Sequence, residues 1–140
     1  VSELFKTVEF GSHTKPPLFL DGYFYAHYRT NERRDGMVCM SMDGEIMWKT
    51  KNNPDFNKGS MILADGLILS TDGGKNLYLI DPDPGEFKSL ASSELLAAEL
   101  DPDNPRASRY GTQNWAPIAL ADGKLLIRDK DRLMCVKVAE

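Results

Sequence analysis

The sequence lacks the features that identify membrane-spanning, nucleic-acid-binding and lipid-binding proteins. No apolar run approaches the roughly 20 residues that a membrane-spanning helix needs. Lys and Arg total 17 against 21 Asp and Glu, which gives a formal charge of −4. That balance favours neither phosphate nor anionic lipid as a partner, because both bind to basic surfaces. We therefore expect no membrane-spanning segment and no nucleic-acid partner.

Cysteine and histidine are also scarce, with two of each in 140 residues. Cys39 and Cys135 each lie in an apolar run, which favours two buried free thiols over a disulfide. His27 alternates with tyrosines along a predicted strand and is expected to be packed or hydrogen-bonded there. Neither His27 nor His13 has a second His or Cys within roughly two to five residues, the spacing of a zinc site. No metal centre is expected.

A repeated unit is the main feature that the sequence does have. Three times, a short apolar run is followed by an Asp-Gly pair and a second apolar run. The pairs are Asp21-Gly22, Asp65-Gly66 and Asp122-Gly123. Asp-Gly between two β-rich runs predicts a type I′ hairpin, because both central residues need a positive φ. The turns explain these carboxylates, so we do not expect an acid and base pair of the glycosidase kind.

Each predicted hairpin continues into a polar break and a third apolar run, and the first two units have a fourth. The third runs cover residues 37–40, 77–80 and 133–138, and the fourth runs cover residues 45–49 and 86–90. Such a unit is a four-stranded antiparallel meander that buries both faces only by stacking on neighbours, as a β-propeller blade does. The Asp-Gly glycines are 44 and then 57 residues apart. A blade period in the forties is typical, and the longer interval predicts an insertion.

The chain is therefore predicted to be one all-β domain over residues 1–140, a partial β-propeller of about three antiparallel blades. The blades are placed at residues 14–50, 59–91 and 115–138, with an insertion over residues 92–114. Residues 93–100 fit either a short helix or an extended continuation of the preceding strand. Residues 4–10 are predicted to form a strand, of an adjacent blade or of a closing one.

Three blades cannot close a ring, which needs about four or more. The third unit also lacks a fourth run. Open strand edges pair readily with other strands. We therefore expect an incomplete ring whose edges meet further blades of the same protein, a protein partner, or a second copy of the chain.

The end of the first unit carries a family resemblance. Gly44-Glu45-Ile46-Met47-Trp48 resembles the Gly-Lys-x-x-Trp ending of pyrroloquinoline-quinone-like (PQQ-like) repeats. Residues 59–66 and 115–128 are similar to segments of bacterial PQQ-like, BamB-like repeat proteins. The resemblance implies a PQQ-like β-propeller with an extracytoplasmic location, periplasmic or secreted, and a noncatalytic role as scaffold or binding module. Two departures are Ser89, which stands where a repeat has Trp, and the lack of the adjacent Cys-Cys pair of quinoprotein dehydrogenases.

Two other functions remain open at this stage. One is a part in a quinoprotein oxidoreductase, with PQQ bound only by a complete propeller; otherwise no cofactor is expected. The other is a carbohydrate-binding or carbohydrate-active propeller. No catalytic residue is identified.

The candidate ligand-binding residues are Trp115, Arg128 and His13. Trp115 precedes the innermost strand of the third blade and Arg128 ends the next strand, so both are expected at one rim. An indole face and a guanidinium together can hold a planar anion or a sugar. The alternative is that Trp115 packs between blades and Arg128 pairs with Asp129 or Asp131. His13 lies on the connecting loop before the first blade.

Overall fold

The computed structural model describes residues 1–30, 32–96, 113–129 and 132–138. Within these ranges it has strands and no helix, so no described helix could cross a membrane. The strands are β1 Leu18–Leu20, β2 Tyr23–Arg29, β3 Arg34–Ser41, β4 Ile46–Lys49, β5 Met61–Ala64, β6 Leu67–Thr71, β7 Asn76–Asp81, β8 Lys88–Glu94, β9 Ala119–Ala121, β10 Lys124–Arg128 and β11 Leu133–Lys137.

The strands form three antiparallel sheets, which confirms the predicted all-β class. Sheet 1 contains β1 to β4, sheet 2 contains β5 to β8, and sheet 3 contains β9 to β11, each in chain order. The three Asp-Gly pairs form the predicted hairpin turns. Asp21, Asp65 and Asp122 each have a φ of 49°, and the glycines that follow them have φ values of 88°, 76° and 67°. We call the end of the sheets that carries these turns the hairpin rim.

Sheet 2 lies between the other two sheets, because successive residues of its strands face opposite sides. Ile68 packs in a cluster with Tyr25 and Met37 of sheet 1, while its neighbour Leu69 packs with Leu125 of sheet 3. The first cluster consists of Tyr25, Met37, Cys39, Phe56, Ile68 and Ile80. The second consists of Leu69, Leu77, Leu96, Ile118, Leu125 and Ile127.

The two interfaces differ in chemistry. Between sheets 1 and 2, the buried Phe56 ring contacts the rings of His27, Tyr78 and Phe87. Hydrogen bonds also cross this interface: the Tyr25 hydroxyl donates to the carbonyl of Pro82 at 2.7 Å. Between sheets 2 and 3, the buried cluster is aliphatic. The core of the first interface therefore contains aromatic rings and hydrogen bonds, whereas the buried cluster of the second interface is held by apolar contact.

Residues 4–10 were predicted to form a strand of an adjacent or closing blade; among the described residues, residues 1–17 have no ladder partner and form no strand. We call residues 1–17 the strap. It lies across the face of sheet 1 that points away from sheet 2. Phe10 contacts Phe24 with ring centroids 6.3 Å apart, and the Tyr28 hydroxyl donates to the Val8 carbonyl at 3.0 Å. The apolar run of the strap thus covers a sheet without joining one.

An ion-pair cluster fastens the strap to sheet 1. The Glu9 carboxylate accepts hydrogen bonds from Arg33 at 3.0 Å and from Lys49 at 2.7 Å. Lys49 also contacts Asp35 at 3.1 Å. These bonds, chiefly the one from Arg33, lower the pKa of Glu9 to about 2.

The second blade extends beyond its predicted end at residue 91. β8 continues through Ser93 and Glu94, so the extended alternative is correct there and the helix is not. The remainder of the predicted segment, residues 97–100, lies outside the described residues. Strand pairing explains the extension, because Ser93 is paired with Leu77 and Glu94 with Asn76.

The two cysteines are free, as predicted, but only one of them is buried. Cys39 lies in the first core cluster, whereas Cys135 is exposed. The expectation that Cys135 is buried is wrong because its side chain points from β11 to the uncovered face of sheet 3.

Candidate strand-binding groove

β11 is an open edge: within the described residues no strand pairs with its outer side. Asp129 N donates to Arg132 O at 3.1 Å and Val138 N donates to Gly123 O at 2.9 Å. Bonded and non-bonded pairs alternate in an antiparallel ladder. The backbone N–H and C=O groups of Leu133, Cys135 and Lys137 therefore point away from β10 and towards the open side.

The strand of sheet 2 that lies beyond this edge is uncovered. Ala91 and Ser93 pair with Leu79 and Leu77, so they share the face of sheet 2 that looks towards sheet 3. Every residue of β8 is exposed. Sheet 2 thus reaches one strand further than the described part of sheet 3.

A groove of about 430 Å³ lies at this step between the two sheets. Sheet 2 supplies most of its wall and sheet 3 supplies a few residues near the hairpin rim. The lining residues are Ala64, Asp65, Leu67, Leu69, Leu77, Leu79, Ala91, Ser92, Ser93, Leu120, Gly123 and Val138. An apolar groove beside free backbone groups is suited to an extended peptide, which can pair its main chain and bury alternate side chains.

The interface between sheets 1 and 2 shows how a fourth strand fills the equivalent place. β4 places Trp48 against Tyr25 and Phe87, with ring centroids 6.1 and 5.8 Å away. The Trp48 Nε1–H donates to the carbonyl of Asp83 in the β7–β8 turn at 2.9 Å. Trp48 therefore acts as a packing residue between sheets 1 and 2.

Trp115 and Arg128 lie towards the rim opposite the hairpins, but on different sides of sheet 3. The Trp115 ring lies under Lys58, whose Nζ is 4.7 Å from the ring centroid. Arg128 is on the outer face beside Leu133, and its Nε–H donates to the Asp129 carbonyl at 3.3 Å. The Asp129 carboxylate instead pairs with Arg132 at 2.7 Å. Ligand binding by Trp115 and Arg128 stays a prediction.

His13, the third candidate, is exposed on the strap before β1. It is at the sheet 1 end of the molecule, whereas Trp115 and Arg128 belong to the sheet 3 end. The three residues do not lie together in one site, so ligand binding by His13 also stays a prediction.

Polar contacts fasten sheet 3 to sheet 2 at the rim opposite the hairpins. Asn114 donates from its backbone to the Gly73 carbonyl at 3.1 Å and from its side chain to the Gly74 carbonyl at 2.6 Å. Ile118 N donates to the Ser60 hydroxyl at 3.3 Å. Asn114 Oδ1 and Trp115 Nε1 are buried here and have no hydrogen-bond partner among the described residues.

His27 is a buried polar residue of the first interface, as predicted. Its Nε2 lies 2.9 Å from the Ser70 hydroxyl, and its ring stacks on Phe56. Burial lowers the pKa of His27 to about 4, against a smaller opposing effect of the Gly59 backbone. Since Ser70 is fully buried, this pair has no access to a substrate and acts in packing.

The described residues contain no group of three His, Cys, Asp or Glu side chains placed to hold a metal ion. No protein-family model matches the chain, and no curated protein matches it. The interpretation of the groove therefore depends on its geometry alone.

Sequence reasoning missed the residues that form the groove. Ala91 and Ser93 were assigned to the end of a blade and to an insertion, and small residues in a polar run carry no signal of a binding surface. The signal that the given sequence offered was a third unit with three apolar runs, where each of the first two units has four. It indicated an open edge, but not which residues of β8 lie beneath it.

Proposed function

We propose that this chain is a noncatalytic scaffold and binding module of the PQQ-like propeller kind, which binds an extended segment of a protein partner as a fourth strand of sheet 3. The observation that carries the proposal is the step between β8 and β11. Ala91, Ser93 and Val138, which follows β11, line the groove, and the outward N–H and C=O groups of β11 have no strand partner among the described residues.

The chemistry of the groove defines the partner segment. Its backbone supplies the hydrogen bonds that β11 lacks, and side chains at alternate positions point into the groove. The small side chains of Ala91 and Ser93 leave space for a large apolar residue, as Trp48 occupies the first interface. The favoured ligand is therefore a strand of about five residues with an aromatic or large aliphatic side chain at its centre.

A synthetic peptide with the sequence of residues 43–50 is the probe for this proposal, because it contains the strand that completes sheet 1. We expect the fluorescein-labelled peptide to bind the full chain, measured by fluorescence anisotropy. A peptide with Trp48→Ser, and one N-methylated at alternate backbone nitrogens, should both bind more weakly. One removes the side chain for the groove and the other removes the main-chain donors.

Cys135→Pro is the matching change in the protein. It removes an N–H that points to the open edge and not to β10, so sheet 3 keeps its own bonds. We expect peptide affinity to fall about tenfold, the worth of roughly one good hydrogen bond. Cys135→Ser is the control and should bind as the unaltered chain does, with thermal unfolding confirming that both variants fold. Equal affinity for all three peptides, or for both variants, would remove the proposal.

A further inference from the structure

The exposed face of sheet 3 combines apolar residues with cations that form no ion pair with the described residues. Leu126 is directly opposite Ala119 on one side and Cys135 on the other, and it is 42% exposed. Leu133 on the same face is 71% exposed. The remaining side chains of this face are Ala121, Lys124, Arg128 and Lys137. None of these strand residues is acidic.

Lys124 and Lys137 are directly opposite each other on β10 and β11. Like charges at such a cross-strand pair destabilise a sheet. A carboxylate placed between the two ammonium groups would reverse that effect. The pair stands at the hairpin rim, since Lys124 follows the β9–β10 turn.

The opposite end of the stack has the complementary composition. The strap and the β3–β4 turn expose Leu4 at 89%, Phe5 at 40% and Met42 at 56%. The Phe5 ring lies against Gly44, where an added Cβ would be 2.9 Å from the ring. The neighbours of Gly44 are the exposed carboxylates Asp43 and Glu45, also at the hairpin rim.

We propose that two copies of this chain associate head to tail, with the outer face of sheet 3 of each packed on the strap-covered end of the other. Continuing the stack in this way brings Lys124 and Lys137 to the level of Asp43 and Glu45 of the next copy. A ring of two copies uses this interface twice, as heterologous contacts do when they close. It contains six sheets, within the four to eight of closed propellers.

Charge reversal at one end and then at the other tests this proposal. The unaltered chain should have twice its monomer mass of 15.7 kDa by sedimentation and light scattering. K124E/K137E places acids against acids, and D43K/E45K places bases against bases, so each variant alone should fall to the monomer mass. Mixed together, the two variants should recover the doubled mass, because both contacts of the mixed pair are then attractive.

K75E/K88E is the control, because it changes the net charge as K124E/K137E does but on exposed residues of sheet 2. It should keep the doubled mass, and circular dichroism should confirm that all variants fold. A monomeric unaltered chain at its highest soluble concentration would overturn the proposal. So would an oligomer that survives both reversals, or one that only Cys135→Pro abolishes, since that result assigns the contact to the open edge. Failure here leaves the peptide-binding result untouched, because the two experiments probe different surfaces.

Discussion

His27 illustrates how one titratable side chain links the fold to pH. In the folded chain its ring is 5% exposed and its pKa is about 4, whereas an unfolded chain has the ordinary value of 6.5. Between these values the unfolded state binds more protons than the folded state. The free energy of unfolding therefore has its full value above pH 6.5 and falls as the pH approaches 4.

As the pH falls, we expect the free energy of unfolding to decrease by up to about 1.4 kcal/mol per pH unit and by about 3 kcal/mol in total. Urea unfolding at a series of pH values from about 5 to 7.5 measures it. His27→Gln removes the titration and should flatten this dependence, although it lowers stability at every pH. His13→Gln on the exposed strap is the control and should keep the slope. An equal slope in all three proteins would contradict the assignment to His27.

The two thiols differ in reactivity because only one of them reaches the surface. Burial raises the pKa of Cys39 to about 11, and the thiolate is the reactive form. In the monomeric variant K124E/K137E, whose outer face of sheet 3 is uncovered, we expect Ellman's reagent to modify one thiol per folded chain, and Cys135→Ser to remove that reaction. In urea both thiols should react. Two fast-reacting thiols in the folded protein would show that Cys39 is accessible.

Single-residue signals were the most readable part of the sequence. The Asp-Gly pairs predicted their turns because the φ requirement is local to two residues. The partner of His27 could not be predicted in the same way, because Ser70 is 43 positions away and their contact depends on how sheets 1 and 2 stack. For the same reason, Trp115 could be placed at a rim but not beside Lys58.

The strap shows where element prediction from pattern fails. Leu4, Phe5, Val8 and Phe10 give residues 4–10 the composition of a strand. What decides between a strand and a covering segment is the availability of a free edge, and the strap instead packs its rings on the face of sheet 1. That information belongs to the tertiary structure.

The ionic attachment of the strap can be tested directly. Glu9→Gln weakens the bonds to Arg33 and Lys49, so we expect faster hydrogen exchange of the backbone near residue 9 and faster tryptic cleavage after Lys6. About 1 M salt should have the same effect on the unaltered chain, since the Glu9 carboxylate is exposed and salt screens its ion pairs. Glu3→Gln is the control and should leave both rates unchanged. A strap whose exchange is insensitive to Glu9→Gln and to salt is held by its aromatic contacts alone.

The whole chain is expected to unfold as one unit, because both core clusters share sheet 2. Ile68→Val removes a methylene that faces sheet 1 and should cost about 1 kcal/mol. Hydrogen exchange should show the same loss of protection free energy for the slowest amides of sheet 3, although Ile68 packs against sheet 1. Leu90→Ala is at a 49% exposed position of β8. It should change the free energy of unfolding and the exchange protection of sheet 3 by less than about 0.5 kcal/mol each. Unchanged protection in sheet 3 would mean that the sheets unfold separately.

The division into three sheets followed from the repeat, since the pattern of runs and turns recurs along the chain. The order of stacking and the step between β8 and β11 did not, because they depend on which face of each strand is covered. The arrangement of these sheets as blades of a β-propeller stays a prediction.

The one-sided fastening of sheet 3 has a mechanical consequence. Asn114 and Ile118 tie it to sheet 2 at one rim, while the groove, with Asp65 and Gly123 in its wall, opens at the other. The apolar side chains that lie between these two rims can shift against one another without the loss of a hydrogen bond. Under an applied force, sheet 3 should therefore rotate about the polar contacts of Asn114 and Ile118, which stay in place. The groove at the opposite rim should then widen enough to admit a bulky side chain of a partner.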